Sequence, residues 1–163
     1  DSSWRFMPTV KDDRVGFLLH PVDLSINKVL ALAGRDEPRD VLDVLLLHRR
    51  VLPLGALCWA ACGKDPGFTP LSLLELLKRR GRIRPDELAR LDLAEPFDLF
   101  VLNDEWLEAL DSVEPFVSSR PPDEIGCLYH SHSKKAFVDP RGVAGARPHF
   151  GRPGGVLPRV ESS

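Results

Sequence analysis

HPVDLSINKVLALAGRDEPRDVLDVLLLHRR, running from His20 to Arg50, decides how this chain is read. Its apolar spacing gives two amphipathic helices joined by a short turn. The first opens near Asp23, since an Asp just ahead of an apolar-periodic run is an N-cap signal. It carries Leu24, Ile26, Val29, Leu30 and Ala33 and stops at Gly34, a residue suited to a left-handed C-cap. Pro38 starts the second helix, where its missing N–H costs nothing. That helix continues through Val41, Leu42, Val44, Leu45, Leu46 and Leu47.

Charged residues single the pair out. Lys28 lies mid-helix with Leu24 and Leu32 one turn away on either side, and Asp40 and Asp43 share a face of the second helix. A carboxylate among so many leucines is desolvated unless a cation answers it. Lys28, Arg35 and Arg39 are the nearest cations in sequence. One Lys and two Asp turned inward make either a buried ion pair or a site, and sites are where perturbed groups gather.

The order Asp-Leu-Ser-x-Asn-Lys (Asp23 to Lys28), Ala-Leu-Ala-Gly-Arg (Ala31 to Arg35) and Arg-Asp-x-x-Asp (Arg39 to Asp43) resembles the C-terminal motifs of the AbiEii-type nucleotidyltransferase toxins. That family belongs to the polymerase-β-like nucleotidyltransferases. The resemblance runs from Trp4 to about Pro70; beyond it there is only a general likeness to helical C-terminal regions. It implies that Lys28 contacts nucleotide phosphates and that Asp43 is the essential late carboxylate, acting as base or orienter. Arg35, Arg39 and Asp40 would complete the nucleotide-binding set, with Asp40 holding Arg35 or Arg39 in place. NTP and Mg²⁺ are the implied cofactors, a tRNA-like RNA or a protein the implied acceptor, and an antitoxin the implied partner.

One departure matters. The family pattern begins with a Gly-Ser turn followed by paired acids that hold Mg²⁺, and this chain contains no Gly-Ser dipeptide, no Asp-x-Asp and no Asp-x-Glu. Phosphoryl transfer relies on metal to neutralise developing charge. The expectation is therefore a C-terminal portion of such an enzyme, inactive alone and lacking the Mg²⁺ ligands. A start at Asp1, with Met7 the only Met, agrees with a fragment. The competing reading is a non-catalytic helical module that binds a partner chain or an antitoxin.

Composition is ordinary for a globular domain: 163 residues, 43% hydrophobic and 28% charged. A formal net charge of −2 argues against a broadly basic nucleic-acid surface. No apolar run has the length to span a bilayer and nothing at the start reads as a signal peptide, so the chain reads as cytoplasmic. Three Cys (Cys58, Cys62, Cys127) are too few for a disulfide framework.

Before the helix pair, Arg14 to His20 has the composition of a short strand preceded by a turn at Asp12 and Asp13. After it, Val51 to Lys64 is an almost wholly apolar helix between Pro53 and Gly63, and Cys58 and Cys62 share one face of it as small core residues. Thr69 caps a helix opening at Pro70 and closing at Gly81, with Lys78, Arg79, Arg80, Arg82 and Arg84 as a basic cluster that complements the helix dipole. Arg84 to Leu93 is a further helix. A long amphipathic segment then runs to Ser119, burying Phe97, Phe100, Val101, Trp106, Leu107 and Leu110. From Pro121 the character changes to a β-hairpin turning at Ser131 to Lys134, followed by a Gly-, Pro- and Arg-rich strap or tail. Cys127, His130, His132 and His149 have donor types that Zn²⁺ accepts, but strand spacing makes His130 and His132 surface residues.

The fold class expected is mostly α (α+β): a helical bundle with a short N-terminal strand and a C-terminal β-hairpin, completing an upstream nucleotidyltransferase sheet. Residues 1–120 form the helical part and 121–163 the hairpin and tail.

Overall fold

A computed structural model describes residues 3–35, 37–81, 84–90 and 98–159. The fold is mostly α, with short strands in small antiparallel sheets. The helices are α1 (Pro21–Gly34), α2 (Pro38–Arg50), α3 (Leu54–Lys64), α4 (Pro70–Arg80), α5 (Pro85–Ala89), α6 (Leu99–Asp111) and α7 (Val113–Ser118). The strands are β1 (Trp4–Arg5), β2 (Val10–Asp12), β3 (Gly16–Leu18), β4 (Leu128–Ser131), β5 (Ala136–Phe137), β6 (Arg147–His149) and β7 (Arg152–Pro153).

The centre is α3, not the α1–α2 pair. Every residue from Leu54 to Cys62 is buried, because this stretch has no polar side chain to turn toward water. It packs against α1, α4 and α7 and under β4. Trp59, Leu57, Ile26, Leu32, Leu73, Leu74, Leu77 and Phe116 are among the largest fully buried side chains of this core.

Helix ends follow local chemistry. Pro38 opens α2 as expected, and Thr69 caps α4 in a reciprocal capping box: the Ser72 amide donates to Thr69 Oγ1 at 3.1 Å while Ser72 Oγ accepts from the Thr69 amide at 2.9 Å. Three expected boundaries differ. His20, not Asp23, caps α1, its Nδ1 accepting from the Val22 amide at 3.2 Å. Gly34 belongs to α1, which Arg35 ends with an extended backbone. Gly63 lies within α3 because it is needed for contact: a Cβ there would collide with the Gly126 carbonyl oxygen. Of the helix expected over Arg84 to Leu93, Pro85–Ala89 is present and its last residues lie outside the described ones.

The segment after Asp98 breaks at Ser112 into α6 and α7, and its buried face differs from the expected one. Leu102, Trp106, Ala109, Leu110, Val113 and Phe116 face the core. Trp106 and Leu110 are common to both readings, Phe97 lies outside the described residues, and Phe100 (82% exposed), Val101 and Leu107 face solvent. Asp98 caps α6 through the amides of Phe100 and Val101.

The expected N-terminal strand is β3, which pairs antiparallel with β2 in an exposed hairpin (Val10↔Leu18, Lys11↔Phe17, Asp12↔Gly16). The C-terminal hairpin is β4–β5 (His130↔Phe137, Ser131↔Ala136), and β6 adds to the other edge of β4. The Gly- and Pro-rich remainder is a strap. It runs back to the start of the chain, where β7 pairs with β1 and His149 Nε2 meets the Phe6 carbonyl at 2.8 Å.

Candidate functional site

α1 and α2 form an antiparallel helical hairpin. Arg35 and Asp40 meet beside the turn, Lys28 and Asp43 meet further along, and His20 and Arg50 share a cavity at the far end. Four of the five expected site residues thus fall into two charged pairs on one helix–helix seam, with Arg39 outside both.

In the first pair, Arg35 Nε and Nη2 reach Asp40 Oδ2 and Oδ1 at 2.8 and 3.2 Å. Asp40 is buried and Arg35 half exposed, so the guanidinium spans from solvent to a desolvated carboxylate. This fork-to-fork contact is the strong form of ion pair. The hydrogen bond to Asp40 raises the Arg35 pKa above its usual value. Glu37 lies 3.9 Å from Arg35 at the exposed end.

In the second pair, Lys28 Nζ lies 3.2 Å from Asp43 Oδ2, with side chains 35% and 34% exposed. Both groups are within reach of solvent, unlike Asp40. Asp43 also borders a cavity of about 170 Å³ between α2 and α6, lined with it by Arg39, Leu42, Leu45, Leu46, Arg49 and Leu102. Arg49 pairs with Glu105 of α6 across this cavity. Arg39 is exposed on its rim and stands apart from both ion pairs.

A further polar group centres on Asp23, expected as the N-cap of α1 and found in another role, with Asn27 and Lys64, which sequence reasoning did not link to it. Asp23, buried in the first helical turn, accepts from the amides of Phe6 (2.7 Å) and Met7 (3.0 Å), fastening the N-terminal segment to α1. Lys64, at the end of α3, contacts Asn27 Oδ1, and burial lowers its pKa against the attraction of Asp23. The signal was present in Asn27 beside Lys28, but Lys64 is too distant in sequence for spacing to link them.

The other candidate ligands separate. Cys58 and Cys62 are buried in α3, where the Cys62 thiol donates to its own helix at the Cys58 carbonyl. Cys127 is in the core, and the ring of His149 is turned to Phe6. Among the described residues, no three His, Cys, Asp or Glu are grouped to hold a metal ion. Of the basic cluster, Lys78 pairs with Glu75 along α4 at 3.6 Å, and Arg82 lies outside the described residues. Also among the described residues, no helix is long and apolar enough to cross a membrane. A scan against protein-family models matches none, and searches of curated proteins and of solved structures return no match.

Proposed function

We propose that this chain is part of a nucleotidyltransferase-like protein, a cytoplasmic toxin paired with an antitoxin, whose α1–α2 seam faces the NTP. The observation that carries the reading is the Lys28–Asp43 pair: an amine and a carboxylate 3.2 Å apart, each about one-third exposed, with Asp43 on a cavity wall. A pair this open is worth about 0–1 kcal/mol, so a ligand separates it at little cost. Lys28 would turn to the triphosphate as a compact positive charge, leaving Asp43 to orient or deprotonate the attacking hydroxyl of an RNA or protein acceptor. Asp40 keeps Arg35 in place beside the seam.

Mg²⁺ does not fit the residues of this chain. Asp40 is buried and taken up by Arg35, which leaves Asp43 as a lone carboxylate, and no Gly-Ser turn with paired acids is present. The chain by itself is therefore expected to transfer no nucleotide.

The test is an NMR titration of the full chain with ATP. Amide shifts confined to the Lys28, Arg39 and Asp43 region, with affinity weakened about tenfold by Lys28→Ala, support the reading. Unmoved α1–α2 resonances at saturating ATP, or nucleotide transfer to RNA that survives Lys28→Ala, overturn it. A second reading, a non-catalytic helical module binding a partner chain, is favoured by the same pairing, since each cation already has its carboxylate. In that case both pairs are struts that register α1 on α2.

A further inference from the structure

At the end of the α1–α2 hairpin away from its turn lies the larger cavity, of about 360 Å³. This is within the usual range of small-molecule sites, about 300–1,000 Å³. Four elements build it: His20, Pro21 and Val22 at the start of α1, Arg50 to Leu52 after α2, His130 on β4, and Lys135 to Phe137 entering β5. Met7 and Pro158 close the remaining wall.

The chemistry of this lining is one-sided. Two cations and two imidazoles face the space, and none of its described lining residues is acidic. Neither Arg50 nor Lys135 has a carboxylate partner among the described residues. The nearest acid along the chain, Asp23, is committed to the amides of Phe6 and Met7. His20 Nδ1 accepts from the Val22 amide, so the neutral ring carries its proton on Nε2 and is a donor there. The N-terminus of α1, with its partial positive charge, adds to the same sign.

The apolar part of the lining is aromatic. Phe137 lines the cavity with the rings of His20 (centroids 6.2 Å apart) and His130 (5.2 Å) set roughly perpendicular to it and His149 tilted against it at 5.4 Å, which puts aromatic surface beside the cationic groups. Arg presents a planar fork and Lys a point charge, the two means by which proteins hold phosphate oxygens.

We propose that this cavity binds a phosphate monoester with a flat apolar body, its anion held between Arg50 and Lys135 with the His20 and His130 rings donating, and its body against Phe137. This site is separate from the Lys28–Asp43 seam and does not rest on the nucleotidyltransferase reading.

Phenyl phosphate and inorganic phosphate are the probes, titrated into the full chain with amide and imidazole shifts as the readout; phenol is the neutral control. Saturable shifts at Val22, His130, Ala136 and Phe137 are expected, with phenyl phosphate about tenfold tighter than inorganic phosphate and phenol silent. Equal affinities would show a bare anion site and overturn the assigned body. Arg50→Ala and Lys135→Asn should each weaken binding about tenfold; Asn suits the left-handed backbone at Lys135 (φ +54°), so that variant removes charge without disturbing the turn. Lys28→Ala should leave phenyl phosphate binding unchanged. Failure to saturate, shifts mapping to Lys28 and Asp43, or full affinity in both cavity variants would overturn the proposal. The shift map of the unmodified chain decides the matter even if a variant folds poorly.

Discussion

Three aspartates of one helical hairpin occupy three environments, and the differences decide what each is for. Asp23 is buried and answered by two backbone amides; Asp40 is buried and answered by both arms of Arg35; Asp43 is one-third exposed and answered by one lysine. Hydrogen bonds to a charged group are worth about 1.5–3 kcal/mol each, whereas an exposed ion pair is worth about 0–1. The first two carboxylates are therefore structural, and Asp43 is the one left available. A double-mutant cycle with Lys28→Ala and Asp43→Ala, read by urea denaturation, should give a coupling below about 1 kcal/mol. It should shrink further at about 1 M salt, where the screening length is about 3 Å. A coupling of about 2 kcal/mol or more would make the pair a strut and favour the interaction module.

At the scale of elements, the corner between α2 and α3 depends on a single imidazole. His48 Nδ1 accepts from the Leu54 amide at 2.8 Å, satisfying the first N–H of α3, which Pro53 has no side-chain group to cap. Burial lowers the His48 pKa, with Arg49 adding to the effect, and burial also lowers His20 and His130. Unfolded histidine titrates near about 6.5. Below that value the unfolded chain takes up protons that the folded chain refuses, so this contribution is complete above about pH 6.5 and is lost as pH falls through the lowered folded values. Urea midpoints should drop between about pH 7 and pH 5. His48→Gln, which keeps an acceptor but does not titrate, should flatten part of that slope; an unchanged slope would remove His48 from the account. Such corners are hard to read in a sequence, because His48 and Leu54 belong to different elements. Thr69–Pro70 and Pro38 were legible because capping is decided within one helical turn. The phase of α6 was not: Phe100, Val101 and Leu107 are as apolar as Leu102, Ala109 and Leu110, and only packing on α2, α3 and α4 chooses between the two faces. In the candidate site, the two helices and their charged residues were legible from helix spacing, but which cation meets which carboxylate was not. The cationic cavity was not, since it gathers residues from both ends of the chain.

Across the whole molecule, the strap after Pro121 ties the ends of the chain to the centre. The Trp59 indole donates to the Glu124 carbonyl at 2.9 Å and the Gly126 amide to the Trp59 carbonyl at 3.0 Å, with Gly63 and Gly126 in backbone contact. Further on, β7 pairs with β1 and His149 meets Phe6. A closure of this kind predicts that strap and bundle open together. The three thiols report on it, since Cys58 and Cys62 lie in α3 and Cys127 lies after Pro121, just ahead of β4. Burial pushes Cys58 far above the ordinary thiol range, Cys62 up to about 12 and Cys127 up to about 11. The thiolate is the reactive form, so at about pH 8 roughly a thousandth of Cys127 is ionised in the folded state. Labelling by an excess of a thiol-reactive disulfide should therefore be slow in buffer and accelerate with denaturant. All three thiols should appear at one rate, equal to that of global unfolding followed by tryptophan fluorescence. If Cys127 reacts well before Cys58, the strap peels away as an independent unit; matching rates establish that the segment after Pro121 and the helices ahead of it form one cooperative structure.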